Sequence, residues 1–238
     1  MTADIPVGRG PAPFGLPAGP VGVRVGAFCV DSTEVTNAQY QVFLTTTGGD
    51  AAGQPATCQW NATYTPTTWP PASEAANVPV TFVDWCDAYA YCAWAKKRLC
   101  GAIDGGPLPF DDVDKPAASQ WFAACSHAGD GQHAYPYGNA YDPAACNGAD
   151  SNDAGSLVDA ASKPACVGGY PRVFDMSGNA REWEDACLLG DGAAPQTDDC
   201  RTRGGAASDD GGVLTCARRS ARNRAAGSAH TGFRCCSP

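Results

Sequence analysis

The chain has 238 residues, 44% of them hydrophobic and only 17% charged, with a formal net charge of −9. The apolar share excludes wholesale disorder, and an acidic chain without a Lys/Arg cluster is a poor partner for nucleic acid. The 28 glycines and 19 prolines indicate a loop-rich fold, not a helical bundle, and no stretch approaches the ~20 apolar residues of a membrane span.

The first twenty residues predict a flexible lead-in over 1–20, because they are dense in proline and glycine and contain no apolar segment typical of an export signal. Residues 21–238 show one composition and no internal repeat, so we expect a single domain there. Residues 21–30 alternate small and β-branched side chains, which predicts a strand.

Apolar residues spaced as on one face of a helix predict three helices, over 36–44, 84–95 and 116–125. Thr36 is placed to begin the first helix, with Gln39 as its capping-box partner. Asp84 is a favourable N-cap for the second helix. Pro116 is placed to begin the third, since proline is tolerated in a first helical turn. A short strand is expected over 78–83, and only loops and short strands after residue 125.

The 13 cysteines are spread in mixed spacings and include no CxxC pair. That pattern indicates five or six disulfides and an oxidising compartment, rather than a zinc ribbon or a thioredoxin-like site. We therefore expect a secreted, periplasmic or cell-surface protein. The odd number leaves at least one thiol free or paired outside the chain.

Six segments in order along nearly the whole chain resemble the formylglycine-generating-enzyme, or sulfatase-modifying-factor, family. They are FCVDSTEVTNAQYQVFL, PVTFVDWCDAYAYCAWAKKRL, YPYGN, FDMSGNAREWED, RTRGG and GFRCC. The resemblance implies an α+β fold of the modified C-type-lectin-like kind, loop-rich, with little regular secondary structure and several disulfides.

The resemblance also implies two disulfides, Cys92 with Cys235 and Cys125 with Cys216. Proximity along the chain favours three further pairs, which are Cys58–Cys86, Cys146–Cys166 and Cys187–Cys200. The partners of three cysteines stay open, namely Cys29, Cys100 and Cys236.

Family enzymes hold copper with two thiols that lie four and nine residues after the second glycine of a G-G-S motif. Here Gly205 is followed by Ala206 at the serine position and by Asp209 at the first thiol position. The second thiol position falls near Leu214, and Cys216 is expected in a disulfide. Copper(I) prefers soft thiolates, so copper is not expected here. Copper-dependent formylglycine formation on sulfatase cysteines remains the alternative function.

The resemblance implies calcium as the cofactor. Calcium takes six to eight oxygen ligands of mixed kind. Two carboxylates seven residues apart flank a tight glycine turn in one expected site, formed by Asp175, Gly178, Ala180 and Glu182. A second calcium site of the family resembles the segment with Asn147, Gly148, Asp153 and Gly155, which is therefore the second expected site. Arg181 departs from the family pattern, which has a large aromatic residue at that position.

The three histidines are expected to be solvated loop residues, since none lies in a helix-borne ligand motif: His127, His133 and His230. The favoured function is a non-catalytic, calcium-stabilised domain that binds an unknown protein or small-molecule ligand on its loops. The tract 204–231 lacks Lys, Glu, Gln, Met and Trp, as in receptors diversified by retroelements. The expected ligand surface comprises Asp209, Asp210, Arg218, Arg222, Asn223 and His230. A structural, envelope-associated domain is the third hypothesis.

Overall fold

The computed structural model describes residues 19–190 and 194–238, so almost all of the expected lead-in over 1–20 lies outside the described residues. Short strands and three α-helices alternate with long loops, as the α+β expectation requires. The helices are α1 Asn37–Thr47, α2 Trp85–Trp94 and α3 Gln120–Cys125. The strands are β1 Gly22–Val25, β2 Phe28–Asp31, β3 Arg98–Leu99, β4 Val167–Gly168, β5 Tyr170–Phe174, β6 Arg181–Leu188, β7 Asp199–Arg203, β8 Ser220–Asn223, β9 Thr231–Gly232 and β10 Cys235–Ser237. No described helix is long and apolar enough to span a membrane.

The helices begin where side chains can satisfy the free N–H groups of a first turn. The expected capping box at α1 is present, with the Thr36 hydroxyl accepting from the backbone of Gln39 and the Gln39 side chain accepting in return. Asp84 caps α2 in the same way. The expected start of α3 at Pro116 is wrong, because the Ser119 hydroxyl accepts from the Phe122 N–H and caps the helix there.

Two four-stranded sheets organise the domain. The first has the order β1-β2-β10-β3 and is antiparallel throughout. The single strand expected over 21–30 is instead the β1–β2 hairpin, which turns at Gly26 with a positive φ of 57°. The second sheet has the order β8-β7-β6-β9, in which only β6 and β9 run parallel.

The strand expected over 78–83 does not form. Phe82 adopts a φ of 60°, which interrupts extended backbone, and its N–H donates to the carbonyl of Ser228. Only Pro79 makes a bridge, to Thr36. The apolar pattern of this segment instead reflects burial, because Val80 and Val83 both lie in the core.

Disulfides tie the C-terminal part of the chain to two helices. The five expected pairs coincide with those in the structure, and Cys100 bonds Cys236 in addition. Adjacent Cys235 and Cys236 therefore fasten β10 to α2 and to the end of β3. Cys29 remains a free thiol, on β2. Six disulfides are typical of an oxidising compartment.

Candidate functional site

The loop after β7 and the first residue of β6 meet at the position that the resemblance assigns to catalysis. One guanidinium nitrogen of Arg181 lies 2.6 Å from each carboxylate oxygen of Asp209. Both side chains are largely buried, with 20% and 16% of their surface exposed. Asp209 also accepts from the backbone N–H of Ala206 at 2.9 Å. The expected position of the first thiol therefore holds a neutralised, hydrogen-bonded carboxylate.

The other positions that correspond to the copper site of family enzymes also offer no thiol. Ala206, at the serine position, is fully buried, and Leu214, near the second thiol position, is 2% exposed and belongs to the interior. Cys216 is bonded to Cys125. The free thiol, Cys29, lies on β2 in the other sheet and pairs in register with Arg24.

The residues of the expected ligand surface lie at both edges of the second sheet and on its connecting loops. Asp209 contacts Arg181, and the backbone N–H of Arg181 donates to the carbonyl of His230, so these three residues lie where β6 meets β9. Arg222 and Asn223 lie on β8, at the opposite edge of the sheet. Strands are spaced ~4.8 Å apart, so roughly 10 Å of sheet separates β8 from β6. Arg218 and Asp210 are exposed on the connecting loops.

Strand β6 presents two glutamates to the interior, since residues two apart share one face of a strand. Glu182 receives hydrogen bonds from two nitrogens of the Arg234 guanidinium at 2.7 Å and from the Trp121 indole at 2.7 Å. Glu184 accepts from the Ser119 hydroxyl at 2.6 Å and lies 3.6 Å from Arg203. Burial raises the pKa of Glu184 to about 7.

The first expected calcium site is a buried cluster of carboxylates around Arg234. Besides Glu182 it contains Asp175, whose carboxylate accepts from the Ala161 N–H at 2.6 Å. It also contains Glu34, which the sequence analysis missed. Glu34 is fully buried, and its Oε2 atom has no hydrogen-bond partner. Three carboxylates thus surround one guanidinium.

That excess of negative charge fits a further cation. Burial first, and then the charge of Asp175, hold the pKa of Glu34 well above its usual range. Burial also raises the pKa of Asp175 to about 6. Within the described residues the three carboxylates do not form a group whose oxygens all lie within 4.8 Å of one another. A shared ion would therefore require these side chains to move closer together.

The turn that carries this site is constrained by close packing. Gly178 has a φ of 75°, and a Cβ atom there would lie 2.3 Å from the carbonyl oxygen of Asn147. The Ala180 N–H points to Glu34, at 3.4 Å from Oε1. The carbonyl-bearing segment 178–180 is thus held against the carboxylates.

The second expected calcium site does not fit the ion. The Lys163 ammonium pairs with Asp153 at 2.5 Å, so a fixed cation already neutralises that carboxylate. Asn147 presents its amide nitrogen, not its oxygen, to the carbonyl of Ser156 at 2.8 Å. Of the remaining members, Gly148 already uses its carbonyl oxygen to accept from the Ser151 N–H at 3.0 Å, and Gly155 is held by its N–H, which donates to the carbonyl of Ala207.

A second feature that sequence reasoning missed is an apolar cleft of about 240 Å³ at the start of α2. Trp85 and Tyr89 stack along it, with ring centroids 5.1 Å apart, as one turn of helix allows. The guanidinium of Arg224 lies 5.1 Å from the Trp85 ring. Asp185 lines the same cleft, and burial raises its pKa to about 6. Leu189, at the rim, is 68% exposed.

A family model matches nearly the whole chain, and a known relative matches about half of it. The model of the sulfatase-modifying factor enzyme 1-like domain matches residues 7–237. Mouse formylglycine-generating enzyme is 28% identical over 151 residues, which cover 51% of this chain and 36% of the mouse protein. The chain thus aligns with only about a third of that relative's length.

Solved structures share the fold at low sequence identity. CarF superposes with a TM-score of 0.58 at 20% identity, over 93% of this chain and 95% of CarF. PvdO from Pseudomonas aeruginosa gives a TM-score of 0.57 at 18% identity, over 88% and 80% of the two chains. Variable protein 1 of Treponema denticola gives 0.54 at 14% identity, over 88% and 84%.

Proposed function

This chain belongs to the family of the sulfatase-modifying factor enzyme 1-like domain, and within that family we propose that it is a non-catalytic, calcium-stabilised domain that binds a partner. The observation that carries the proposal is the ion pair of Arg181 with Asp209 at the position of the first thiol. A carboxylate is a hard ligand that holds copper(I) poorly. Here it is also committed to a guanidinium and a backbone N–H.

The cysteine inventory supports the same conclusion. Copper(I) chemistry of the family kind needs two thiolates close together, and twelve cysteines of this chain are consumed in six disulfides. The one free thiol, on β2, belongs to the other sheet. Cys216 could supply a thiol near the site only by breaking its bond to Cys125.

An oxidation assay tests this part of the proposal. The disulfide-intact chain is loaded with copper, incubated with a Cys-x-Pro-x-Arg peptide in air, and the peptide is analysed by mass spectrometry. We expect no formylglycine, while an active family member run in parallel converts the peptide. Turnover that Cys216→Ser abolishes would show that an active site exists and that the proposal is wrong.

Calcium would be held by Asp175, Glu182 and Glu34, with carbonyl oxygens of Gly178 and Ala180 completing the set as the resemblance implies. The support is the excess of buried carboxylate and the partnerless Oε2 of Glu34. When bound, the ion would neutralise that charge and fix segment 175–182 to the loop that follows β2, which carries Glu34. Its role is therefore structural.

The cleft beside α2 is the surface that best suits a partner. Stacked aromatic rings and an exposed leucine offer apolar contact, while Asp185 and Arg224, which also pairs with Asp198 at 3.2 Å, add charged groups to the lining. Pockets of this mixed kind bind an apolar group and orient it by a few polar contacts. We propose that the partner inserts an apolar side chain or ring here. We further propose that the protein acts in an exported, oxidising location.

A further inference from the structure

A loop outside the sites described above brings three ligand-type side chains together. His127, Asp130 and His133 each offer one ligand atom, and these atoms all lie within 4.8 Å of one another. Both imidazoles turn Nδ1 toward the same carboxylate, His127 at 2.9 Å and His133 at 2.9 Å and 3.0 Å from its two oxygens. Two of the three histidines of the chain lie in this one loop.

From this convergence we propose that His127, Asp130 and His133 bind a divalent transition-metal ion of the zinc type. Imidazole nitrogen and carboxylate oxygen are ligands that zinc accepts in proteins. The carboxylate can ligate the metal, which would replace the hydrogen bonds between Asp130 and the two imidazoles.

The loop backbone is built for this convergence and is strained to achieve it. His127 and Ala128 have φ values of 51° and 56°, and Gly129 and Gly131 follow with 73° and 75°. Left-handed backbone at a non-glycine residue is unfavourable and persists only where the surrounding structure enforces it. Such strain is concentrated at functional positions, which is why it supports a site here.

Several contacts hold the loop in this conformation. The Ser126 hydroxyl accepts from the Gly129 N–H at 3.1 Å, and the Asn139 amide donates to the Gly131 carbonyl at 2.9 Å. Ser126 follows Cys125, which is bonded to Cys216. The ring of Tyr170 lies edge-on to His127, with centroids 4.9 Å apart. The ligand set is thus held before any ion binds, which lowers the entropic cost of coordination.

Three protein ligands leave a tetrahedral ion with one open position. A cavity of about 470 Å³ adjoins the loop and is lined by His133, Asn139, Phe122 and Thr215, among others. The open position would therefore accept water or a small anionic donor that enters this cavity. This arrangement differs from the copper and calcium positions in both place and ligand type.

Zinc titration of tag-free, disulfide-intact protein in excess calcium tests the proposal, because calcium then occupies hard-cation positions. We expect one zinc ion by calorimetry. His127→Gln, His133→Gln and Asp130→Asn should each weaken binding by at least roughly tenfold, since losing a ligand should cost no less than losing an outer-shell partner. His230→Gln, which removes the histidine outside the loop, should bind as the wild type does. Thermal melts identify any variant that fails to fold.

Cobalt(II) gives a second readout. The visible bands of a bound cobalt ion should show nitrogen and oxygen ligation and should shift when azide is added to occupy the open position. Zinc binding that survives all three loop substitutions, or that Cys29→Ser abolishes, would overturn the site. Bands that azide leaves unchanged would contradict the claim that the bound ion has an open coordination position.

Discussion

Arg181 and Asp209 form one largely buried ion pair across 28 residues of sequence. Each residue separately departs from the family pattern, which places a large aromatic residue and a thiol at these positions. Either charge alone would be partly buried without a partner, which is costly. Together they neutralise each other, and Asp209 also orders the turn by accepting from Ala206. The two departures are therefore one structural change, in which each charge stabilises the other.

Breaking this pair should destabilise the fold. Asp209→Ala leaves the Arg181 guanidinium without its partner and frees the Ala206 N–H, so we expect a loss of about 1–3 kcal/mol in the free energy of unfolding. Urea unfolding of Arg181→Ala, Asp209→Ala and the double variant measures their coupling. We expect a coupling energy above about 1 kcal/mol, as for residues that share a buried hydrogen-bonded contact.

The pair of Arg219 with Asp114 is the matched control. Its distance is the same, 2.6 Å, but its side chains are 42% and 27% exposed. Exposed ion pairs contribute about 0.2–1 kcal/mol, so the same cycle on Arg219 and Asp114 should give the smaller coupling. Equal couplings in the two cycles would show that the burial of the Arg181–Asp209 pair has no special consequence.

Calcium should stabilise the native state through the cluster around Arg234. An ion bound only by the native state adds about 2.7 kcal/mol at a hundredfold excess over Kd, so chelator should lower the Tm. Asp175→Asn and Glu34→Gln should weaken that response, because each removes a negative charge from the cluster. Asp153→Asn, in the position that Lys163 already neutralises, should leave it unchanged. A Tm that does not change when chelator is added contradicts the assignment. So does a calcium response that Asp153→Asn weakens and that Asp175→Asn and Glu34→Gln leave unchanged.

Local features were predictable from the sequence itself, and long-range ones only where the family resemblance implied them, as for Cys92 with Cys235. Thr36 and Asp84 begin their helices as predicted, since capping depends on residues three apart. Pro116 was a weaker signal than the Ser119 hydroxyl, because a side chain that accepts a hydrogen bond fixes a helix start more directly than a tolerated proline does. The five expected disulfides coincide with the structure, but the pairing of Cys100 with Cys236 spans 136 residues and carried no local signal.

The candidate sites show the same division. Asp175 and Glu182 are seven residues apart and were identified together, whereas Glu34 joins them from the N-terminal strand region, 141 residues before Asp175 by their numbering. Arg181 and Asp209 were each recognised as departures, yet no local rule joins them. The bond forms because β7 pairs with β6 and its following loop returns to the start of β6.

Glu184 should make stability depend on pH. Burial raises its pKa to about 7, so the native state binds a proton more tightly than the unfolded state does. Its contribution is fully present below the unfolded pKa and is lost as pH rises through about 7. The expected slope approaches about −1.4 kcal/mol per pH unit near pH 6 and falls to zero above about pH 8, where both states have lost the proton.

Urea unfolding between about pH 6 and 8, in excess calcium, measures that slope. Asp84 and Asp185 have pKa values raised to about 6 by burial, so their contributions are mostly lost at lower pH. Glu184→Gln should flatten the profile above pH 6, even though the loss of a charge beside Arg203 lowers stability overall. An unchanged slope in that variant would assign the dependence to another group.

The cleft beside α2 should bind an apolar ring. Trp85 and Tyr89 stack within 5.1 Å and Leu189 exposes 68% of its surface, so burial of this apolar area against a ligand is favourable by about 25 cal/mol per Å². A neutral fluorescent naphthylamine, titrated into the disulfide-intact protein, should bind saturably with blue-shifted emission. Leu189→Asp and Tyr89→Ala should weaken that binding, because the first places a charge at the rim and the second removes a stacking face. Arg24→Ala, on exposed β1 in the other sheet, should bind as the wild type does. Saturable binding that none of these substitutions alters would place the apolar surface elsewhere and would remove the structural basis for a partner at this cleft.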